Sequence, residues 1–293
     1  MTVYTTAEGV NAPRVALLGT GTMGAGMARN IATAGLPLAV WNRSPERAAP
    51  LAEAGARVAS DVADAVRDAD VVVTMLWDAD VVAEVLQEAR GRFAEGAVLL
   101  QTSTVGIEGH AALRDVAGDL GLRYVDAPVL GTKHPAEQGT LVVLASGPDD
   151  TRPVVAPVLD AIGSRTVWLG DRGDAASRLK LAANAFVLNV TAAIAESRAI
   201  TGALGLDPDL FLEAIRGGPL ESPFVTAKGR LMTAGDYPAA FAVDGGLKDA
   251  RFIVGSAGAT APLTAVTVER LAALSAAGHG DEDIAALARP VGP

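Results

Sequence analysis

No cysteine occurs anywhere in the 293-residue chain. That excludes disulfides, thiolate nucleophiles, iron–sulfur clusters and cysteine-ligated zinc. Histidine is almost as scarce: His110, His134 and His279 are scattered along the chain, which argues against a histidine-built metal site. Aromatic residues make up 4%, so any core must rest on small and aliphatic side chains. Positive charge is also in the minority, with 24 Lys plus Arg against 34 Asp plus Glu and a formal net charge of −10. That balance disfavours nonspecific binding to nucleic acid or to an anionic membrane surface. It also repels acidic ligands at long range, so such a ligand needs a local basic site. The opening MTVYTTAEGVNAPR lacks the basic start and apolar run of a signal peptide, so a cytoplasmic protein is expected. The most apolar helical stretch, 179–194, is interrupted by Lys180, Asn184 and Asn189. A spanning helix needs about 20 apolar residues, so this one is read as a buried helix of a soluble protein.

What is abundant is aliphatic: half of the residues are hydrophobic. The length suits one large domain or two smaller ones. From Arg14 to about Gly170, short β-branched runs alternate with Ala-rich amphipathic stretches. The runs fall at 15–18, 38–41, 71–75, 98–100, 124–125, 141–144 and 166–169. Continuous apolar runs this short fit strands buried on both faces, and their alternation with helices predicts a doubly wound, Rossmann-type α/β fold. Gly35, Pro45, Gly121, Gly147, Pro148 and Gly163 mark joins. Past Gly170 the pattern changes. Residues 174–203 carry no Pro and no Gly before Gly202, which predicts one long helix. Asp207-Pro208 and Ser222-Pro223 each offer a cap followed by Pro, a helix start, and no strand-like run follows. The expected organisation is an extension over 1–12 whose order the sequence leaves open, a dinucleotide-binding domain over 13–172, and an all-α substrate and oligomerisation domain over 173–293. The long helix joins the two domains.

The first strand runs straight into Gly19-Thr20-Gly21-Thr22-Met23-Gly24, and a helix-forming stretch follows. A lone GxGxxG says little, but a strand before it and a helix after it supply the context that the motif requires. The first glycine allows the tight turn, the second lets the backbone approach a pyrophosphate, and the third permits close helix–strand packing. The diphosphate then rests on the helix N-terminus. A purely structural glycine-rich turn is the alternative. The second strand ends in Asn42-Arg43-Ser44, where an NAD site normally has Asp or Glu for the ribose 2′-hydroxyl. A guanidinium flanked by amide and hydroxyl donors suits a 2′-phosphate, so NADPH is predicted over NADH. Stacking of Arg43 on adenine, or its solvation, is the competing reading.

Lys180 and Asn184 are four residues apart on the long helix and share a face among Leu179, Leu181, Ala182, Ala183 and Phe186. An ammonium in such surroundings is solvated through a cleft, paired, or shifted in pKa; a lysine snorkelling at a domain edge is the bland alternative. Hydride delivery to a carbonyl generates an alkoxide, and a placed ammonium supplies both its proton and its counter-charge. Asn184 can hold the lysine or the substrate oxygen.

Four ordered segments, GTGTMGAGMARNIATAG, DAPVLGTKHPAEQGTL, GDRGDAASRLKLAANAF and LKDARF, resemble the β-hydroxyacid dehydrogenases of the 6-phosphogluconate dehydrogenase-like superfamily over nearly the whole chain. WNRSPERA and GTKHPAEQGTL look most like NADPH-dependent glyoxylate and succinic semialdehyde reductases. The resemblance implies that Lys180 is the catalytic lysine, supported by Asn184, and that Leu76, Thr104 and Lys248 lie close to the cofactor. It implies further that Leu130, Gly131 and Thr132 meet the substrate carboxylate, and that helical domains pair into a homodimer or homotetramer. One departure stands out: the family has Ser after DAPV, and this chain has Leu130. Leucine offers no hydroxyl, although the amides of Gly131 and Thr132 and the Thr132 hydroxyl remain; Lys133 reads as a solvated loop lysine. The expected partner is a small carbonyl compound, with no metal, nucleic acid or membrane. The leading reading is therefore an NADPH-dependent reductase of a small aldehyde or keto acid. An imine reductase is the alternative, favoured by Leu130 and disfavoured by Lys180, and a non-catalytic cofactor-binding scaffold is a third reading.

Overall fold

The computed structural model describes residues 12–290; the extension expected over 1–12 lies, apart from Ala12, outside them. Strands β1 (Val15–Leu18), β2 (Leu38–Trp41), β3 (Arg57–Val58), β4 (Val71–Thr74), β5 (Val98–Gln101) and β6 (Arg123–Asp126) form one sheet in the order β3-β2-β1-β4-β5-β6. All its pairings are parallel. Successive side chains of a strand project to opposite faces, and here both faces are covered. Val15, Leu17, Val71, Val73, Val98 and Leu100 enter one apolar cluster, while Ala16, Leu18, Val72 and Leu99 enter the other. Each fully buried leucine contributes about 1.5–3 kcal/mol by leaving water. The sequence reading omitted β3 because Arg57 and Val58 are exposed and form no apolar run. Strand order reverses next to β1, where open α/β sheets bind ligands at the strands' carboxyl ends.

Two of the expected strands do not join this sheet. β7 (Val129–Leu130), β8 (Leu141–Ala145) and β9 (Gly163–Trp168) form a separate sheet, with β7 antiparallel and β9 parallel to β8. Gly163, expected at a join, opens β9. An apolar run reports that a strand is buried and not which partner it takes. Asp126 links the two sheets through reciprocal backbone hydrogen bonds with Ser146, at 3.0 and 2.9 Å.

The predicted long helix spans Ala175–Ala203, and the chain divides into two compact units inside it, between Lys180 and Leu181. The second unit holds helices Leu210–Ile215, Pro223–Ala234, Val243–Ala257 and Pro262–Leu274. Ser222 caps its helix as expected, accepting the Val225 N–H at 3.2 Å with Pro223 in the first position. At Asp207-Pro208 the expectation is corrected. The Asp207 carboxylate accepts the Asp209 N–H at 2.9 Å in a local turn, and the helix begins only at Leu210. The long helix is also less buried than read from the sequence: 39% of its most apolar window is buried, although length and composition alone would let it cross a membrane. Leu179, Phe186 and Ile200 are exposed. Its apolar residues encircle the helix rather than form a stripe, so a one-sided layer cannot cover them all.

Candidate active site

The loop after β1 leads into helix Gly24–Thr33. Gly19 has φ 102°, and a Cβ there would lie 2.3 Å from the Met75 carbonyl oxygen. A Cβ on Gly24 would stand 1.9 Å from the Gly19 oxygen, whereas one on Gly21 would meet nothing within 4 Å. The chain's own packing therefore demands the first and third glycines, while the second faces open space. The helix has no side-chain cap at Met23, so its first N–H groups are available to an anion. Thr20 is 3% exposed, and its hydroxyl has no hydrogen-bond partner among the described residues. An unsatisfied buried polar group costs about 1–3 kcal/mol. A phosphate-bearing ligand on this loop would meet that hydroxyl, the open face at Gly21 and the uncapped helix end together. The residues present thus fit a dinucleotide. Thr22 is exposed and Met23 half-buried.

Asn42 does not present a free amide at the end of β2, as its grouping with Arg43 had suggested. Its Oδ1 accepts the Thr20 N–H at 2.9 Å and its Nδ2 donates to the Ser44 carbonyl at 3.0 Å. The side chain braces the glycine loop instead. Arg43 is exposed and Ser44 half-buried beside it.

Leu76 follows β4, its Cδ2 lying 2.8 Å from the position a Cβ on Gly19 would take. Its N–H donates to Ser103 Oγ at 2.9 Å, and the Ser103 N–H donates to Gln101 Oε1 at 2.7 Å. Gln101 Nε2 donates to the Ser103 carbonyl at 2.9 Å, and the Thr74 hydroxyl donates to Gln101 Oε1 at 3.2 Å. This buried lacing stitches the loops beyond β4 and β5 together, with Thr104 half-buried at its edge. Sequence reasoning passed over Gln101 and Ser103; the available signal was the polar string QTST directly after an apolar strand.

Lys180 is buried, and its Nζ donates to the Val129 carbonyl at 2.8 Å. The snorkelling alternative does not hold. Leu130 and Thr132 are half-buried beyond that carbonyl, Gly131 is exposed, and exposed Lys133 faces Glu137 at 4.0 Å as a surface lysine. The nucleotide-loop helix also reaches this segment, for Asn30 Nδ2 donates to the Ala136 carbonyl at 2.7 Å.

In the second unit, Asn184 Nδ2 donates to Asp249 Oδ2 at 2.7 Å, and Asp249 Oδ1 pairs with Lys248 Nζ at 2.9 Å. Lys248 also stands over the Phe252 ring at 5.1 Å. Asn184 is thus anchored by Asp249, a part that the motif LKDARF does not announce on its own. Among the described residues no group of three or more His, Asp or Glu is placed to hold a metal ion.

Comparison with known proteins gives the family. The NAD binding domain of 6-phosphogluconate dehydrogenase, as a family, matches residues 14–170. The NAD-binding family of NADP-dependent 3-hydroxyisobutyrate dehydrogenase matches residues 174–291. Chloroplastic glyoxylate/succinic semialdehyde reductase 2 of Arabidopsis thaliana is 30% identical over 292 residues, covering 98% of this chain and 81% of that protein. The 3-sulfolactaldehyde reductase of Escherichia coli is 30% identical over 286 residues, covering 94% of this chain and 95% of that one. Among solved structures, 3-hydroxyisobutyrate dehydrogenase from Salmonella typhimurium superposes with a TM-score of 0.87 at 27% identity, over 94% of this chain and 99% of that chain. Two family matches that follow one another along the sequence, with relatives matched almost end to end, place the chain in the β-hydroxyacid dehydrogenase family, as an NAD(P)-dependent dehydrogenase or reductase.

Proposed function

We propose that this enzyme is an NADPH-dependent reductase of small aldehydes or keto acids, of the glyoxylate or succinic semialdehyde kind, with Lys180 as the proton donor. The observation that carries the reading is the buried Lys180 ammonium, aimed at the Val129 carbonyl beside Leu130–Thr132. A bound nicotinamide cofactor supplies the hydride. Lys180 gives its proton to the oxygen of the reacting carbonyl and balances the charge that develops there. The Val129 carbonyl accepts a hydrogen bond from Lys180 Nζ and so orients the proton donor. The amides of Gly131 and Thr132 and the Thr132 hydroxyl hold the substrate's acid group. The compounds named for the Arabidopsis and Escherichia coli relatives are small anionic aldehydes, which supports this substrate class.

A parallel panel of glyoxylate, succinic semialdehyde, neutral aldehydes and cyclic imines, followed by NADPH absorbance, tests the proposal. Acidic aldehydes are expected to turn over fastest. Imine reduction without turnover of any carbonyl would sink the reading in favour of the imine reductase alternative.

Preference for NADPH is supported by the absence of a carboxylate at the end of β2 and by the exposed Arg43 beside Ser44. Charge-assisted hydrogen bonds contribute about 1.5–3 kcal/mol, so Arg43→Ala should raise KM for NADPH about 10- to 100-fold. KM for NADH should barely move in the same variant. Equal loss for both cofactors would remove Arg43 from 2′-phosphate recognition.

A homo-oligomer is the proposed assembly, because Phe186, Leu204 and Leu263 are each at least 70% exposed. Isolated apolar residues at a surface are ordinary, but eight of the eleven large hydrophobic side chains exposed among the described residues fall in the second unit, more than single exposures would give. Light scattering at micromolar concentration should give at least two chains per particle; a monomeric mass would count against it.

A further inference from the structure

We propose that Asp126 is a positioning residue for the proton donor, setting the register of the helix turn that carries Lys180; the inference rests on Lys180 being that donor. The first N–H groups of any helix need partners from outside it. For helix Ala175–Ala203 the Ala176 and Ser177 N–H groups find theirs at the ends of two strands. Ser146 Oγ accepts the Ala176 N–H at 3.1 Å and donates to the Gly173 carbonyl at 3.3 Å. Asp126 Oδ2 accepts the Ser177 N–H at 2.7 Å, while Oδ1 accepts the Ser177 hydroxyl at 2.9 Å. A carboxylate at the positive end of a helix is favourably placed, and this one is fully buried.

The same stretch of chain grips the helix a second time, one turn on. Asp126 meets Ser177 and Val129 meets Lys180, so residues 126–129 hold residues 177–180 at two points within one helix turn. The acceptor of the Lys180 bond is itself fixed. Val129 pairs with Val143 across the small sheet, and the Pro128 carbonyl accepts the Leu144 N–H at 2.9 Å. Asp126 is fixed as well, since its backbone exchanges two hydrogen bonds with Ser146 and the next residue donates to the Gln101 carbonyl at 2.8 Å. What remains adjustable is the helix, in rotation and along its axis, and the Asp126–Ser177 contact, with Ser146 on the Ala176 N–H beside it, sets both. Ser177 and Lys180 lie within a single turn of about 5.4 Å rise, so a shift of the one carries the backbone of the other with it.

His110 backs the carboxylate. Its Nδ1 lies 3.6 Å from Asp126 Oδ2, and its ring meets Tyr124 edge-on with centroids 5.1 Å apart. The Tyr124 phenol is pushed well above its ordinary pKa, first by burial and then by the Asp126 charge, and so stays neutral. Asp126 thus has a rigid wall on one side and the helix end on the other.

The test compares Ser177→Ala, Ser177→Thr and Asp126→Asn in the full-length enzyme, reading kcat, NADPH affinity and the D2O effect on kcat. Ser177→Ala retains the carboxylate and removes one hydroxyl, so it carries the test even if Asp126→Asn folds poorly. A misplacement near 1 Å can cost about 100-fold in rate, so both are expected to lower kcat about 10- to 100-fold with little change in NADPH affinity. Proton transfer should become slower than hydride transfer, raising the solvent isotope effect, and Ser177→Thr should restore most of kcat. An unchanged kcat in both variants overturns the proposal. So does a loss that follows NADPH affinity with no rise in the isotope effect. Lys180→Ala, measured alongside, separates the two claims. A Lys180→Ala enzyme with wild-type kcat ends the proton-donor assignment, whereas an inactive one beside normal Ser177→Ala and Asp126→Asn enzymes ends only the positioning role.

Discussion

Lys180→Ala should lower kcat by about 100- to 10,000-fold, the range spanned by general acid catalysis, while NADPH binds as before. The glycine loop, Asn42 and the lacing around Gln101 contain no lysine, so the cofactor site survives the change. Stability should also shift little, because two effects oppose each other. The Val129 carbonyl loses its 2.8 Å donor, which costs about 1–3 kcal/mol for an unsatisfied buried acceptor. Removing a buried ammonium returns a desolvation penalty of similar order. Lys180→Arg is the sharper control. A guanidinium keeps the charge and the hydrogen bond to Val129, yet it holds its proton far more tightly than an ammonium and is a poor proton donor. It should therefore bind substrate and fail to turn it over. If Lys180→Arg matched the wild-type rate, charge alone would suffice and proton donation would be the wrong role. A fall in kcat and kcat/KM by the same factor identifies an interaction made only in the transition state.

The parts of this fold that were legible in the sequence are those where one segment speaks for itself. The runs at 15–18 and 38–41 are β1 and β2 to the residue, and Ser222-Pro223 starts a helix because cap and Pro sit together. The long helix was readable from the want of Gly and Pro. Where the outcome depended on a distant partner, the sequence was silent. β8 and β9 look like any parallel strands, yet they pair in a second sheet beside β7. The helix Ala175–Ala203 takes hydrogen bonds at its start from Asp126 and Ser146, about fifty and thirty positions upstream, so no capping pattern near Ala175 could announce them. Asn42 looked like a ligand donor because its type suits that work, but its amide is spent on Thr20 and Ser44. Asp249 went unassigned for the same reason, since Asn184 reaches it across 65 residues.

Gly21→Ala and Gly24→Ala should fail in opposite ways. At Gly24 the new methyl would stand 1.9 Å from the Gly19 oxygen, a contact that only a shifted loop or a tilted helix can relieve. Overpacking of that kind costs about 1–3 kcal/mol, so the Gly24→Ala protein should unfold at lower temperature even without ligand. At Gly21 the methyl meets no atom of the protein within 4 Å, and φ there is not in the left-handed range. Loss of glycine's freedom in the unfolded chain then stabilises the fold by about 0.4–1 kcal/mol, so the ligand-free Gly21→Ala protein should melt no lower than wild type. Its cofactor affinity is another matter, because the backbone at the second glycine is where the pyrophosphate approaches. A methyl in that approach is expected to weaken NADPH binding about 100-fold, close to 2.8 kcal/mol. Thermal melts with and without saturating NADPH read both effects in one experiment. Wild type should gain several degrees with the cofactor, whereas Gly21→Ala should gain almost none from an equal or higher starting point. An undiminished cofactor shift in Gly21→Ala would mean that the diphosphate does not rest on this loop.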